Sequence, residues 1–531
     1  MCEFMTPAVN VWPALPGAKQ GGLLRFASLL LCAFALNSEA APRNDGALWR
    51  PRLATPALAA LDNPANRQLS LEYRASSAAT GWSVTISNDL SAWKCQVLKA
   101  AYSAINRGIE PGWQLTARVP TNAPPELFTV VVSCSESVSV QGQALSVVPS
   151  FTADFYILHM ADEQIEQEFH NNRSGQWYSS VGTAEEFKWE KEPINLINPR
   201  FVMATGDHID FNGALDAYNN WGNWAKLYGA RYNYQPSGKR YFTQRETSDV
   251  EAKLTSLYFA YHVFRVPYVE CPGNHDVPPH DKSLKAPAPP YVNWHSLGAS
   301  VYEANWGQRS WSFRMGDFYV LMHDWSDSGL KAWAAADYSA ALCDPGVKYR
   351  LVGQHYTTDQ AYVPDRCDLM LVGHGHTAAT LQTSPYYIYE DGPAFRYGSC
   401  GFFNFRRAGN GWTCDQTASA RNMAKDVWPL YTDNGVVRKV RSNRPDAMNI
   451  TEASVTITND LPENFYDGRV RFILSKGTYD SVTNGTILAQ YPCGACTAVL
   501  VKVNIPASGT VTVTMGPAAP APLRDHTVSS P

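Results

Sequence analysis

The sequence predicts a central layered α/β domain flanked by two β-rich, sandwich-like domains. In the middle of the chain, short apolar runs alternate with segments of helical spacing, a pattern typical of α/β layers. On both sides, short runs of β-type residues are separated by turn residues, which is typical of β-sandwiches. The length of 531 residues exceeds what one hydrophobic core usually organises, so we expect two or three domains.

The first 40 residues resemble a secretory leader. Lys19 and Arg25 precede an apolar stretch at 26–36, and small residues place a cleavage site after Ala40. The stretch is shorter than the roughly 20 residues that span a bilayer. We therefore predict a signal peptide at 1–40 and a secreted or periplasmic protein with no integral membrane span after cleavage. An uncleaved membrane anchor is the alternative.

The next segment, 41–150, is predicted to be a β-rich domain that begins with a linker rich in Ala, Pro and Asn. Its β-type runs are Leu69–Tyr73, Trp82–Ile86 and Phe128–Val132. Turn-forming residues separate these runs.

A second β-rich domain is predicted at 446–515. The octapeptide SVTISNDL at 83–90 returns as SVTITNDL at 454–461, with seven of eight positions identical. Further β-type runs follow at Val470–Leu474, Ala498–Val503 and Thr510–Thr514. The repeat is either a duplicated module or a coincidence of strand and turn chemistry. The tail, 516–531, is rich in Ala and Pro and is predicted to be disordered.

The central domain is predicted at 151–445. Its apolar runs, which we interpret as strands, are Phe155–Met160, Phe201–Ala204, Val266–Val269, Phe318–Met322, Arg350–Val352 and Leu369–Val372. A capping box at Ser248–Glu251 predicts a helix that continues to Tyr261. In open α/β sheets, ligands bind outside the carboxyl ends of the strands.

A cluster of polar residues follows nearly every one of these runs. The clusters are Asp162–Gln164, Gly206–Asp210, Pro272–Asp276, His355 and Gly373–His376. Carboxylate, amide and imidazole donors together suit a hard or borderline metal ion rather than a thiolate site. We therefore predict a metal centre in which two ions share the carboxylate of Asp207.

The order of these clusters resembles the calcineurin-like metallophosphoesterase superfamily, whose blocks read D-x-H, G-D-x-x-D, G-N-H-[DE], H and G-H-x-H. The resemblance covers residues 155–405 and implies a four-layer α-β-β-α sandwich with a dinuclear metal site. It implies that one ion is held by Asp162, Gln164, Asp207 and His376, and the other by Asp207, Asn274, His355 and His374. It also implies that His275 is the catalytic imidazole and Asp210 its partner.

The first block departs from the superfamily pattern, because Gln164 stands where a histidine is usual. A glutamine carbonyl suits Mn or Mg better than Zn or Fe, but all four metals stay candidates. Asp210 occupies the position at which purple acid phosphatases carry a tyrosine ligand, which argues against that subtype.

The resemblance implies an exported phosphoesterase that hydrolyses small phosphomonoesters or phosphodiesters by a metal-bridging hydroxide, with His275 as general acid. A net charge of -4 provides no basic field for nucleic acid. A catalytically weak surface-binding protein on the same scaffold is the alternative. The β-rich domains either contact glycans or a cell surface or serve as scaffolding.

Residues beside the motifs are predicted to have supporting roles. We expect His159, His208 and His323 to be packed or hydrogen-bonded histidines, and Glu163 and Asp276 to orient the ligands. Cleavage after Ala40 would remove two of the eleven cysteines, Cys2 and Cys32, and export favours disulfides among the other nine. The predicted pairs are Cys95/Cys134, Cys343/Cys367 and Cys400/Cys414, and Cys493-Gly494-Ala495-Cys496 is predicted to be a tight disulfide or two idle thiols.

Overall fold

The computed structural model describes the strands that frame the predicted site and leaves several connecting segments aside. The described residues are 47–162, 168–171, 176–179, 193–208, 264–274, 276–277, 299, 302–303, 306–324, 328–356, 367–375, 379–382, 387–390, 401–414 and 440–517. The predicted leader, the predicted helix at 248–261 and the predicted disordered tail therefore lie outside the described residues, apart from positions 516 and 517.

The N-terminal β-rich module contains eight strands in a single sheet. They are β1 (Leu48–Arg50), β2 (Ala57–Ala60), β3 (Gln68–Tyr73), β4 (Ser83–Ser87), β5 (Ala92–Ile105), β6 (Glu110–Arg118), β7 (Leu127–Ser133) and β8 (Val138–Val148), in the order β1-β3-β6-β5-β4-β7-β8-β2. The three strands predicted in this region are confirmed as β3, β4 and β7. The long strand β5 pairs with both β4 and β6, and a bulge between Val97 and Lys99 allows the sheet to bend around its core.

The central region is built from two mixed sheets, with a separate hairpin of β10 (Glu168–Asn171) and β11 (Gln176–Ser179). The five-stranded sheet has the order β13-β12-β9-β20-β21, and the six-stranded sheet has the order β14-β15-β16-β17-β19-β18. The first contains β9 (Phe155–Met160), β12 (Val202–Ala204), β13 (Tyr268–Glu270), β20 (Gly401–Ala408) and β21 (Gly411–Cys414). The second contains β14 (Trp311–Met315), β15 (Phe318–His323), β16 (Tyr349–Gln354), β17 (Leu369–Val372), β18 (Ala379–Gln382) and β19 (Tyr387–Glu390), and helix α1 (Ser328–Cys343) joins β15 to β16. All six apolar runs predicted as strands are therefore strands.

The two central sheets pack face to face. Successive side chains of a strand point to opposite faces, so Phe155 and Ile157 of β9 enter the same core as Phe318, Val320 and Met322 of β15. Burial of these side chains in one shared core fixes the two sheets against each other, at roughly 25 cal/mol for each Å² of apolar surface removed from water. Their strand ends are consequently held at a fixed separation.

The outer faces of the two sheets have different partners. On the six-stranded sheet, Tyr319 and Leu321 pack with Ala334 and Tyr338 of α1. Within the described ranges, the outer face of the five-stranded sheet is covered by a short helix at 193–197 and by C-terminal β-strands. One helical layer and two sheet layers are thus present among the described residues, and the four-layer α-β-β-α arrangement stays a prediction.

The C-terminal β-rich module has two sheets with the orders β22-β23-β28-β25 and β24-β27-β26. Its strands are β22 (Val440–Ser442), β23 (Ser454–Asn459), β24 (Phe465–Ser475), β25 (Val482–Thr483), β26 (Thr486–Cys493), β27 (Cys496–Ile505) and β28 (Gly509–Met515). The predicted strands are confirmed as β24, β27 and β28. Side chains such as Phe465 and Val503 share a core with Tyr156 and Leu158 of β9. The module therefore packs directly on the sheet that carries part of the predicted site.

The repeated octapeptide forms the same local structure in both β-rich modules. After β4, Asn88 Oδ1 accepts a hydrogen bond from the backbone N–H of Leu90, at 2.9 Å. After β23, Asn459 Oδ1 accepts the equivalent bond from Leu461, also at 2.9 Å. Asparagine side chains stabilise turns in this way, so the repeat encodes a strand followed by an Asx turn.

The described residues belong to one compact unit, Asn44–Pro531. The boundaries predicted between the three domains stay a prediction. No described helix is long and apolar enough to cross a membrane.

Two of the predicted disulfides are wrong. Cys95 and Cys134 are free thiols. Strand β4 lies between β5, which carries Cys95, and β7, which Cys134 follows, so the two strands are about 9–10 Å apart, beyond the roughly 7 Å limit for a disulfide. Cys343 is exposed at the end of α1, whereas Cys367 is buried and its thiol donates to the carbonyl of Leu369.

The other cysteine predictions have different outcomes. The pair Cys400/Cys414 includes Cys400, which lies outside the described residues. Cys493 and Cys496 are opposite each other in the β26–β27 hairpin, and both are free thiols. The C-x-x-C segment is therefore a hairpin turn. Of the two predicted alternatives, a tight disulfide or two idle thiols, the structure has the two thiols.

Candidate metal centre

The carboxyl ends of the central strands meet at one edge of the two sheets. In the five-stranded sheet, β12 runs parallel to β9 and β13. In the six-stranded sheet, β15, β16, β17 and β19 run parallel. Strand order therefore brings the segments that follow β9, β12, β13, β16 and β17 to the same region, as expected for a ligand site in an α/β fold.

Three predicted ligands have a left-handed backbone. The φ angles are 55° at Asp162, 59° at Asp207 and 79° at His374. Each follows its strand by two or three residues, where the chain turns away from the sheet. A non-glycine residue at positive φ is energetically unfavourable and is held there by its surroundings, a feature that is concentrated at functional sites.

Glycines allow the segments to approach closely. A Cβ atom on Gly273 would overlap a carboxylate oxygen of Asp207, and one on Gly206 would come within 2.7 Å of the Cα of Gly273. A Cβ atom on Gly373 would come within 2.8 Å of Asp162 Oδ2 and 3.0 Å of His355 Nδ1. The glycines of the G-D, G-N-H and G-H-x-H blocks therefore permit contacts that no larger residue would allow.

Side-chain donors converge at this edge. Within the described ranges, the ligand atoms of Asp207, His355 and His374 all lie within 4.8 Å of one another. His355 Nε2 is 3.1 Å from Asp207 Oδ2 and 3.1 Å from Asn274 Oδ1. Asp207 and His355 are buried, whereas His374 is exposed. The four residues predicted to hold one ion are thus neighbours.

A hydrogen bond at Nδ1 fixes the orientation of the His355 ring. Its Nδ1 donates to the backbone carbonyl of Thr205 at 2.8 Å, which leaves Nε2 facing the acceptor oxygens of Asp207 and Asn274. The Thr205 hydroxyl in turn lies 2.8 Å from Nε2 of the buried His159. Histidine ligands of metals are commonly held by such a second hydrogen bond to a carbonyl.

The electrostatic environment of His355 favours a cation. Burial by itself lowers the pKa of this imidazole, but the carboxylates of Asp207 and Asp162 and the bond to Thr205 raise the pKa to about 9. By contrast, burial lowers the pKa of His159 to about 3. The negative field is therefore local to the strand edge, where it stabilises positive charge.

Asp162 connects the two sheets. It follows β9 of the five-stranded sheet and is fully buried. Its backbone N–H donates to Gly206 O at 3.0 Å, and its Oδ2 accepts from the backbone N–H of His374 at 2.9 Å. Asp162 thus ties the loop after β17, through its carboxylate, to the loop after β12, through its backbone N–H.

Asp276 supports the loops rather than extending the ligand set. Its carboxylate accepts three backbone N–H groups, from Asp207 at 2.7 Å, His208 at 2.9 Å and Gly273 at 2.8 Å. Buried amides need such partners, and a carboxylate that accepts several of them is held firmly. The expected orienting role of Asp276 matches this geometry.

The three histidines predicted to be structural are buried and hydrogen-bonded. His208 Nε2 lies 3.2 Å from Cys271 O, and its ring stacks on Trp306. His323 Nδ1 lies 3.0 Å from Ser310 Oγ. His159 contacts Thr205, as described above.

The structure brings together five of the predicted site residues, Asp162, Asp207, Asn274, His355 and His374. The predicted residues Gln164, Asp210, His275 and His376 lie outside the described residues, as does Glu163. Sequence reasoning missed Thr205 and Tyr356. Thr205 directly precedes the G-D block and Tyr356 directly follows His355, so adjacency to the motifs is the signal that would have identified them.

The described donors fit a metal ion. Because Nδ1 of His355 donates to a carbonyl, its Nε2 lone pair would face the lone pairs of Asp207 and Asn274 in the neutral state. Such an arrangement of acceptors is stable only with a cation between them, either a proton or a metal. Carboxylate, amide and imidazole donors are suited to Mn, Fe, Zn or Mg.

The chain is similar to solved metallophosphoesterases. A purple acid phosphatase from yellow lupin (Lupinus luteus) seeds is 11% identical, with a TM-score of 0.32 over 64% of this chain and 67% of that chain. A dimetal phosphatase from Danio rerio is 12% identical, with a TM-score of 0.30 over 49% and 95%. The calcineurin-like phosphoesterase YfkN from Bacillus subtilis is 10% identical, with a TM-score of 0.27 over 50% and 88%.

No protein-family model and no curated protein sequence matches the chain. At TM-scores this low, the structural similarities carry no argument about activity. The function has to be inferred from the residues at the strand edge.

Proposed function

We propose that this protein is a metal-dependent phosphoesterase that hydrolyses phosphomonoesters or phosphodiesters at the shared edge of its two central sheets. The observation that carries the proposal is the position of His355 Nε2, 3.1 Å from both Asp207 Oδ2 and Asn274 Oδ1. His374 completes this donor group. The acceptor atoms of Asp207, Asn274 and His355 face one another and require a cation between them. Among the described residues, His374 is the exposed member of the group, and we propose that a substrate approaches from its side.

The proposal includes a second ion that shares Asp207. Asp162 supports it, because this buried carboxylate lies beside the loop of His374 and contributes to the field at His355. Gln164 and His376 are its other proposed ligands, and the four-layer sandwich is the proposed frame. Mn, Fe, Zn and Mg are all candidates for either ion.

A bound metal pair would supply the positive charge that holds a phosphoryl group and lowers the pKa of an attacking water. The residues of the chain have separate tasks. Asp207 offsets the charge of the ions, while Thr205 keeps the His355 ring in the orientation that directs Nε2 to the site. Asn274 presents its carbonyl oxygen without adding charge.

His275 is proposed to donate the proton that the leaving alkoxide needs, with Asp210 as its partner. The positions of its sequence neighbours support this role. The side chain of Asn274 reaches His355, and Asp276 is fixed by three backbone amides. Residue 275 is therefore flanked on both sides by residues anchored at the site.

The test compares metal content and turnover in three proteins: the wild type, His275→Ala, and Asp344→Asn as a control. Asp344 is a half-buried residue that pairs with Arg314 outside the predicted motifs. We expect the wild type and the control to bind metal and to hydrolyse p-nitrophenyl phosphate or its bis ester only with metal. His275→Ala should keep its metal and lose at least about a hundredfold in kcat, since general acid catalysis contributes that much or more.

Metal bound by the wild type without metal-dependent hydrolysis of either ester would contradict the proposal and favour the surface-binding alternative. Comparing the two esters also decides between monoester and diester preference. Export and a small phosphoester substrate are part of the proposal. They are supported by the leader-like N-terminus and the absence of strong positive charge, and the mass of the mature protein would test cleavage after Ala40.

A further inference from the structure

His374 differs from the other described donors in how it is held. Asp207 and His355 are buried, and their neighbours restrict them, whereas His374 is exposed. Its backbone is anchored, with φ at 79° and its N–H bonded to Asp162. Packing restricts the χ angles of an exposed imidazole less than those of a buried one, so a ring that contacts it contributes more to its orientation.

Tyr356 is in the right place to restrict that ring. The rings of Tyr356 and His374 are stacked, with centroids 3.8 Å apart and an interplanar angle of 29°. The Tyr356 ring also makes an edge contact with His355, at 5.2 Å and 78°. Since Tyr356 follows β16 and His374 follows β17, the parallel pairing of these strands brings the two rings together.

Tyr356 therefore touches both imidazoles of the donor group. The two imidazole rings are themselves 5.3 Å apart at an angle of 74°. The two edge contacts have a favoured geometry of aromatic pairs, and the 3.8 Å stack places the Tyr356 ring directly on the His374 ring. Tyr356 is half-buried, so part of the residue reaches solvent.

We propose that Tyr356 is a positioning residue, whose ring holds His374 in the orientation that binds metal. This inference rests on the metal centre of the proposed function. The contact that carries it is ring on ring, so the aromatic ring matters and the hydroxyl does not. Residues that orient metal ligands typically contribute 10–100-fold to metal affinity.

The test uses two variants of the metal-free protein, Tyr356→Phe and Tyr356→Leu. Phenylalanine keeps the stacked ring and removes the hydroxyl, while leucine fills a similar volume without a ring. Tyr102→Leu is the control, because Tyr102 is a tyrosine that likewise makes an aromatic contact, to Trp113 in the N-terminal module, and is exposed. Each protein is titrated with Mn²⁺ by calorimetry, and its unfolding temperature is measured without metal.

We expect Tyr356→Leu to lose about tenfold in Mn²⁺ affinity with an unchanged unfolding temperature, and Tyr356→Phe and Tyr102→Leu to stay within about twofold of the wild type. Mn²⁺ affinity of Tyr356→Leu within about twofold of the wild type would overturn the proposal. An equal loss in Tyr356→Phe would also overturn it, because the hydroxyl would then be the active group.

The proposal for Tyr356 and the phosphoesterase proposal can fail independently. If the wild type binds Mn²⁺ and hydrolyses no ester, the proposed activity fails while the affinities still decide the role of Tyr356. If hydrolysis is metal-dependent but Tyr356→Leu and Tyr356→Phe have the same affinity for Mn²⁺, only the positioning role of Tyr356 fails. A wild type that binds no metal would overturn both.

Discussion

The five-stranded sheet supplies oxygen donors to the candidate metal centre, whereas the six-stranded sheet supplies imidazole nitrogens. Asp162, Asp207 and Asn274 follow β9, β12 and β13, and His355 and His374 follow β16 and β17. The two groups also differ in how they are fixed. The loops of the oxygen donors are fixed by backbone hydrogen bonds to Asp276 and close glycine contacts, while His374 is exposed and contacts a tyrosine ring.

This difference indicates a rigid oxygen frame and, at His374, a more adjustable nitrogen donor; His355 is buried and hydrogen-bonded to Thr205. Asp207 is buried and its backbone N–H is bonded to a carboxylate, so its position is set before any ion binds. The His374 ring depends on side-chain stacking instead. Loss of a frame residue should therefore abolish metal binding, while loss of the exposed imidazole should weaken it.

The largest expected effect contrasts Asp207→Asn with His374→Ala. Asp207→Asn removes the charge that the proposed ions share, so metal affinity should fall by more than about a hundredfold, beyond the usual effect of an orienting residue. His374→Ala should lose less, because Asp207, His355 and Asn274 stay in place. Calorimetric titration with Mn²⁺ measures both, and equal losses in the two variants would remove the distinction between the sheets.

A second, smaller effect tests the rigidity of the oxygen frame without replacing any predicted metal ligand. Gly273→Ala would place a Cβ atom on a carboxylate oxygen of Asp207, so the loop must shift. We expect a loss of roughly 1–3 kcal/mol in the free energy of unfolding, together with weaker metal binding. Gly411→Ala is the matched control, because its Cβ would meet only Ala408 O, at 3.9 Å.

Urea unfolding and Mn²⁺ titration of the two glycine variants provide the comparison. If Gly273→Ala bound metal as tightly as Gly411→Ala, the frame would be more compliant than its contacts indicate.

The donors of the frame could be predicted from the sequence because strand ends and polar residues coincide. Asp162, Asp207 and Asn274 each follow an apolar run, and parallel strands place their carboxyl ends at one edge. The contact of Tyr356 with His374 could not be predicted, because it depends on the register of β16 against β17. Adjacency in the chain does not determine which rings stack.

The packing of the C-terminal module on the five-stranded sheet could not be predicted from the sequence either. The repeat identified two β-rich modules, but nothing in it indicates that Phe465 and Val503 share a core with Tyr156. Cysteine spacing misled for the same reason. Cys95 and Cys134 lie in one predicted domain, but strand order places β4 between their strands.

A further effect concerns His159 and His355, two buried histidines whose pKa values shift in opposite directions. His159, on β9, has a pKa lowered to about 3 by burial. It stays neutral in the folded protein while the unfolded chain takes up a proton below its ordinary pKa of 6.5. The stability that depends on neutral His159 is therefore complete above pH 6.5 and is lost progressively as the pH falls towards 3.

His159→Gln removes this titration and keeps a group that can hydrogen-bond to the Thr205 hydroxyl. From about pH 7 to about pH 4.5, the wild type should lose about 2–3 kcal/mol more unfolding free energy than the variant. Urea unfolding at both pH values measures the difference. Parallel losses in the two proteins would show that the interior beneath the oxygen frame is wetter than the burial of His159 indicates.

The most direct test of the metal centre is anomalous diffraction from crystals of the protein loaded with Mn²⁺ or Zn²⁺. A bound ion should give a peak about 2.0–2.2 Å from Asp207 and His355 Nε2, with His374 and Asn274 as further ligands. A metal-saturated crystal with no peak between Asp207 and His355, or with the ion held elsewhere, would contradict the account.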